Sequence, residues 1–422
     1  MNLPSLRFEG YTDLWKKTTL NKLSKIISGG TPNTNNISYW NGSINWFSPM
    51  EIGKDIFVYN SQKKITTLGL QKSSAKILPV GTILFTSRAG IGKTAILSKE
   101  ACTNQGFQSI VPKKKLLDSY FTFSITNKLK KYGNKMGSGS TFNEISGKQM
   151  GKMKIFIPEF HEQQKIGSFF QKLDQLIELQ SQKVIHLKQL KRGFLQKLYP
   201  AKGEILPLLR FNKFNGNWNL DKLNKLGKSY GGLTGKNKDD FGHGNGKYIT
   251  YLNVYNNAIA RKDGVKSIEV DYKQNCVNKH DILFTISSET PEEVGLSSIW
   301  DYNENDVYLN SFSFGYRPLI HFDNYFLGYY LRSDQFRSSI FPLAQGISRY
   351  NISKNNLLKL KIIFPSIKEQ QKIGSLFQNL DQQISLQQSK LEHLKQLKKV
   401  IFKICSSKKD SFSRESASLV YD

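Results

Sequence analysis

The chain has 422 residues, 38% hydrophobic and 22% charged, with 61 Lys or Arg against 33 Asp or Glu and a formal net charge of +28. That length and composition predict two to three globular domains and exclude a disordered basic tail. The charge points to a polyanionic partner, nucleic acid ahead of an acidic membrane, although Lys supplies 51 of the 61 cations and part of the excess is compositional background.

Three scattered cysteines, Cys102, Cys276 and Cys405, form no CxxC pair. This excludes a zinc ribbon or a disulfide framework and predicts reduced thiols in a cytoplasmic protein. The N-terminal sequence lacks the apolar stretch of a secretory signal, and no run of 18 apolar residues offers a membrane span.

In chain order, residues 1–157 form the first predicted unit. Its strands are expected at 83–87, 94–98, 107–112 and 153–158, with a glycine- and asparagine-rich loop at 28–36 and a helix at 120–133. A long helix follows at 158–200, opening after Pro158. Residues 201–364 repeat the plan, with strands at 248–254, 281–287, 312–318 and 360–365 and a helix at 325–340. A second long helix spans 365–407, and 408–422 form a tail. Two α+β units alternating with two helices are the expected fold class.

The two helical segments are copies. At a constant offset of 207 residues, Pro158–Lys197 and Pro365–Ile404 share 23 of 40 positions, with EQQKIGS, LDQ and HLKQLK in common. Fainter echoes lie in the units: LRF at 6–8 and 209–211, Trp15 and Trp218, ILFT at 83–86 and 282–285, and Ile145-Ser146 and Ile352-Ser353. The helices have been kept alike while the units between them have diverged.

Each helix carries an apolar seam stepping by four and three residues, a period of 3.5. In the first it runs Ile166, Phe170, Leu173, Ile177, Gln180, Val184, Leu187, Lys191, Phe194 and Leu198. In the second it runs Ile373, Phe377, Leu380, Ile384, Gln387, Leu391, Leu394, Lys398 and Ile401. The polar interruptions fall at equivalent places and can fix register. About 38 residues at 1.5 Å rise make a rod of roughly 57 Å. Antiparallel pairing of the copies as a coiled coil would give a pseudo-two-fold with one unit at each end. Packing of each helix on its own unit, or pairing between chains, is the alternative.

Few motifs point to catalysis. Ser87–Thr94, SRAGIGKT, approaches a phosphate-binding loop, but the following TAIL reads as a strand where that chemistry needs a helix N-terminus. The equivalent stretch of the second unit, ISSETPEEVGLSS, lacks GKT. Asp271-Tyr-Lys273 is half of a nuclease motif without its upstream acid. The six histidines form no metal-binding spacing, so no catalytic residue and no metal site is expected.

Binding features are more numerous. Asn, Gln and Arg read base edges, while Ser, Thr, Lys and backbone amides hold phosphates. The DNA-facing candidates of the first unit are Gly30, Thr31, Trp46, Ser48, Arg88, Lys93, Asn104, Gln105, Ser138, Ser140 and Thr141. Those of the second are Thr234, Lys236, Lys238, Tyr251, Asn253, Ser287, Ser288, Asn310, Ser311, Ser348, Arg349 and Tyr350. For any one of them, a turn or packing role is the ordinary alternative.

The stretch ISGGTPNTNNISYWNGSINWFSP (27–49), the twice-occurring P-x3-EQQKIGS…LDQ…LKQLK helix and their alternating order resemble the specificity subunit of type I restriction–modification enzymes. The likeness covers nearly the whole chain except the tail. The second unit lacks the SGGTP signature, which implies a different recognition chemistry there. The resemblance implies a non-catalytic reader of a split double-stranded DNA target, one half-site per unit, with the paired helices as ruler and scaffold. It implies two methyltransferase and two restriction subunits as partners and no membrane. It also implies no cofactor on this chain, with S-adenosylmethionine, ATP and Mg on the partner subunits. A self-sufficient DNA-modifying enzyme and an RNA-binding coiled-coil adaptor are the alternatives from other classes.

Overall fold

In a computed structural model, residues 6–88, 90–137 and 143–406 are described, without the side chains of 403–406. The candidates Ser138, Ser140 and Thr141 and the tail 408–422 lie outside the described residues. The chain divides into two compact units, residues 1–181 with 390–422 and residues 182–389. Each unit therefore contains one variable domain, part of the central helix (Phe160–Lys197) and part of the C-terminal helix (Ile367–Ser406).

In the first unit, a five-stranded sheet has the order Ser24–Ser28, Gln108–Pro112, Ile83–Phe85, Thr94–Leu97, Phe57–Val58. A second sheet sets Trp40–Phe47 between Lys63–Ile65 and Ala101–Thr103. A ribbon pairs Lys16–Thr19 with Lys154–Ile157, next to the start of the central helix.

The second unit repeats this plan. A four-stranded sheet has the order Gly227–Gly231, Ser313–Pro318, Ile282–Thr285, Ser297–Ile299, and Phe241–Ile249 lies between Val265–Ile268 and Val307–Leu309. Asn219–Lys222 pairs with Lys361–Phe364 as the equivalent ribbon. A small further sheet, Ser287–Ser288, Tyr350–Ile352 and Ala344–Gln345, has no named counterpart among the described residues of the first unit.

Three expected elements are subdivided. The helix expected at 120–133 is two, Ser119–Ser124 and Thr126–Met136, the first capped by Asp118, whose carboxylate accepts from Phe121 N. The one expected at 325–340 breaks between Asn324–Tyr330 and Asp334–Ile340, because the Ser333 hydroxyl caps a new start. The strand expected at 248–254 ends at Ile249; Thr250 then caps a short helix, Tyr251–Asn256. In the latter two cases a side-chain cap outweighs the hydrophobic pattern, whereas the first break, at Ile125, has no side-chain cap.

Every seam position of both long helices is buried or half-buried. Ile166, Phe170, Leu173 and Val184 are buried, as are Ile373, Phe377, Leu380, Ile384, Leu391 and Ile401, while Ile177, Leu187, Phe194 and Leu394 are half-buried. In the first unit, Phe170 meets Phe402 edge-on at 6.1 Å and Asp174 pairs with Lys398. In the second, Lys191 pairs with Asp381 and Tyr199 stacks on Phe377 at 5.8 Å. Within each unit the partner number falls as the other rises, so the helices run antiparallel. The ion pairs are the same pair twice, since Asp174 and Asp381, and Lys191 and Lys398, are repeat equivalents.

The repeated EQQKIG segment serves a second purpose: it docks each helix on its own domain. Arg7 forms a two-pronged ion pair with Glu162, and Arg210 does the same with Glu369; the two glutamate side chains are 0% and 2% exposed. Gln163 donates to Pro158 O and accepts from Asp118 N, as Gln370 does with Pro365 O and Asp323 N. Trp15 packs edge-on against Phe121, and Trp218 against Phe326. Gly167 and Gly374 let the helix approach those caps: an added Cβ would lie 2.7 Å from Asp118 Oδ1 and 1.9 Å from Asp323 Oδ1. Own-domain packing and helix pairing thus occur together.

Candidate nucleic-acid interface

The strands carry three loops to the same end of each domain. The first is a cap turn after a sheet strand. In the first unit Ser48 opens it as a capping box with Glu51. In the second, Thr250 Oγ1 accepts from Asn253 N.

The second loop joins two antiparallel strands. Thr86 N donates to Lys93 O at 3.0 Å and Gly92 N to Thr86 O at 3.0 Å; Thr285 N donates to Leu296 O at 2.9 Å and Gly295 N to Thr285 O at 3.1 Å. The third is an Asx turn: Asn104 Oδ1 accepts from Gly106 N at 2.8 Å, and Asn310 Oδ1 accepts from Phe312 N at 3.0 Å. Further bonds tie the loops together, Ser87 N to Gly106 O and Ile145 N to Ser87 O in one unit, Ile286 N to Phe312 O and Ile352 N to Ile286 O in the other.

In the first unit, an added Cβ on Gly106 would lie 2.9 Å from Pro49 Cγ and 3.6 Å from Arg88 Nε, so the three loops meet there. Thr31 Oγ1 donates to Gln105 Oε1 at 2.6 Å, joining a fourth loop. Thr31, Ser48, Arg88, Asn104 and Gln105 are therefore neighbours. Gly30 and Trp46 lie below them: Trp46 is buried, and its indole N–H donates to Gly30 O at 2.8 Å. Lys93 is exposed, close to Gly53 and Gly90. The segment after SRAGIGKT is the strand Thr94–Leu97, so no helix N-terminus is available to cradle a phosphate.

In the second unit, the loops enclose a cleft of about 510 Å³. Tyr251, Ser287, Ser288 and Arg349 line it together with Tyr255, Glu293 and Phe312. Tyr350 adjoins it, because the strand it opens pairs with Ser287–Ser288. Tyr251 and Tyr255 stack at 5.9 Å, and Tyr251 OH donates to Ser287 O at 2.6 Å. Glu293 accepts from Tyr255 OH and Ser288 Oγ, which holds its carboxyl below the usual range and pushes the Tyr255 phenol up to about 12.

Other candidates bond elsewhere. Asn253 bridges Arg261 N and O, and Asn310 binds Ile249 O and Ser313 Oγ as well as its own turn. Lys236 pairs with Asp271 at 2.9 Å and Asp240 at 3.6 Å, and the Asp271 carboxyl is held down to about 2 by Lys236 first and by Lys273 N. That occupies the carboxylate of Asp271-Tyr-Lys273. Thr234, Lys238, Ser311 and Ser348 are exposed.

Tyr255, Glu293 and Phe312 are missing from the sequence-based candidates. An aromatic pair at i, i+4 in YLNVY was the available signal for Tyr255; nothing local marks the other two. Among the described residues no cluster of three His, Cys, Asp or Glu could hold a metal ion, and no helix is long and apolar enough to cross a membrane.

The family described as "Type I restriction modification DNA specificity domain" matches residues 12–189 and 215–396, one match per repeat. The type I restriction enzyme MjaIX specificity subunit of Methanocaldococcus jannaschii is 28% identical over 300 residues, covering 68% of this chain and 69% of that protein. The EcoR124I/EcoR124II specificity subunit of Escherichia coli is 32% identical over 174 residues, 38% of this chain and 41% of that one. In fold, the chain is similar to the crystal structure of the type I restriction–modification S subunit from M. genitalium, with a TM-score of 0.57 at 15% identity over 96% of this chain and 99% of that one. With two matched domains that together take in most of its length, the chain belongs to the type I restriction–modification specificity family.

Proposed function

We propose that this chain is the non-catalytic DNA sequence-specificity subunit of a type I restriction–modification complex. Each variable domain reads one half of a split duplex target, and the antiparallel helices set the gap and scaffold the methyltransferase and restriction subunits. S-adenosylmethionine, ATP and Mg belong to those partners, two of each being expected, and the complex works in the cytoplasm. The observation that carries this reading is the division of labour inside the repeat. Helix-docking side chains recur residue for residue, while the loops at the other end share a backbone frame and differ in chemistry. Two readers on a common mount suit half-sites about one helical turn, roughly 34 Å, apart.

Sequencing the methylome of the host with and without this gene tests it: one bipartite modified motif should vanish with the gene. Removing seven residues from each helix, in register, should shorten the tolerated gap. Methylation by the purified chain alone would favour a self-sufficient enzyme instead, and preference for structured RNA over duplex DNA across a salt series would favour an RNA adaptor.

A further inference from the structure

We infer that the cleft of the second unit reads a G·C base pair through the major groove, with Glu293 accepting from cytosine N4 and Arg349 donating to guanine O6 and N7. This rests on the reading of the chain as a bipartite DNA reader. In a chain of net charge +28, the loop Ile286–Gly295 carries Glu289, Glu292 and Glu293 and no Lys or Arg of its own, and Glu289 and Glu293 line the cleft. Carboxylates repel phosphate, so the concavity suits a base edge that presents donors.

Cytosine fits better than adenine. Adenine N6 lies beside the N7 lone pair, which a carboxylate repels, whereas cytosine N4 has only the C5–H edge next to it. The exposed apolar side chains Leu252 and Phe312 at the same cleft suit that edge. Arg349, exposed on the cleft wall, supplies the fork that guanine accepts.

The cleft is built rather than incidental. Two arginines behind it, Arg337 buried and Arg332 half-buried, hold its walls by their carbonyls. Arg332 donates to Val254 O at 2.6 Å and Tyr255 O at 2.8 Å, and Arg337 to Glu292 O at 2.6 Å and Val294 O at 2.7 Å. Tyr255 and Glu293 are thereby fixed from both sides, and Glu293 keeps lone pairs beyond the two bonds it accepts. Ser287 Oγ, also at the cleft, is buried and has no hydrogen-bond partner among the described residues.

The test is selection of a randomised duplex DNA library by the complex of this chain with its methyltransferase subunit, comparing wild type, Glu293→Gln and Arg349→Ala. Wild type should enrich a bipartite sequence with a G·C pair in one half-site. Both variants should lose roughly 10- to 100-fold discrimination at that pair, leaving the other half-site and the gap unchanged. Arg349 is exposed, so its variant reports recognition even if Glu293→Gln disturbs the loop. Unchanged discrimination in both variants, or an equal weakening on all sequences, overturns the inference while the bipartite reading stands. A wild-type complex that enriches no bipartite sequence overturns both.

Discussion

The hairpin loops that follow ILFT in the two units are closed by equivalent backbone bonds and carry opposite charge. Both are closed by a threonine, at 86 and 285, through equivalent pairs of bonds, and both lean on an Asx turn. One then presents Arg88 and Lys93, the other Glu289, Glu292 and Glu293. At the opposite end of each domain, side chains recur along with the backbone: Arg7 and Arg210, Glu162 and Glu369, Gln163 and Gln370, Gly167 and Gly374. Where each copy grips its own copy of the repeated helix, frame and chemistry are held together. At the loop end, only the frame is held.

The paired arginine substitutions at the gripping end should act alike in both units. The largest effect is expected from Arg7→Ala and Arg210→Ala, each of which leaves a buried glutamate unpaired and should cost about 3–5 kcal/mol of domain stability in chemical denaturation. Unequal losses would break the equivalence. Gly167→Ala and Gly374→Ala should each cost about 1–3 kcal/mol by overpacking. Gly374→Ala should be the worse, because its Cβ would come to 1.9 Å from the capping carboxylate rather than 2.7 Å.

Lys191→Ala and Lys398→Ala remove half-buried ion pairs and should cost only about 1 kcal/mol each. Lys191→Ala should be slightly more harmful, since Lys191 also contacts Tyr329, donating to its hydroxyl and lying 4.3 Å from its ring centroid. Smallest is a pH effect confined to the second unit. Asp271 is held at about 2, below its unfolded value near 3.8, so its pairing with Lys236 stabilises the fold above that value and is lost as pH falls from about 4 to about 2. Asp271→Asn should remove that part of the acid sensitivity in a denaturation midpoint measured against pH.

The gripping end was legible in the sequence because it is long, periodic and duplicated; the 3.5-residue seam and the offset of 207 needed no tertiary information. Two of its features were not. Arg7 and Arg210 read as part of a faint LRF echo, and their role depends on glutamates more than 150 residues away. At the loop end, Tyr251, Ser287, Ser288 and Arg349 could be picked out as candidates, but their convergence with Glu293 depends on three loops meeting in space. ISSETPEEVGLSS registers in sequence only as the absence of GKT, because a carboxylate's function depends on what faces it. The Thr250 cap that turns 251–256 into helix has its local signal in Thr-x-x-Asn, which the apolar run YITYLNV conceals.

The division between a common grip and separate readers is tested most directly by exchanging residues 20–157 for the corresponding segment of another type I specificity subunit and sequencing the methylated target. One half-site should change while the other half-site and the gap stay as they were; a change in both half-sites, or in the gap, would contradict the assignment of one reader to each unit.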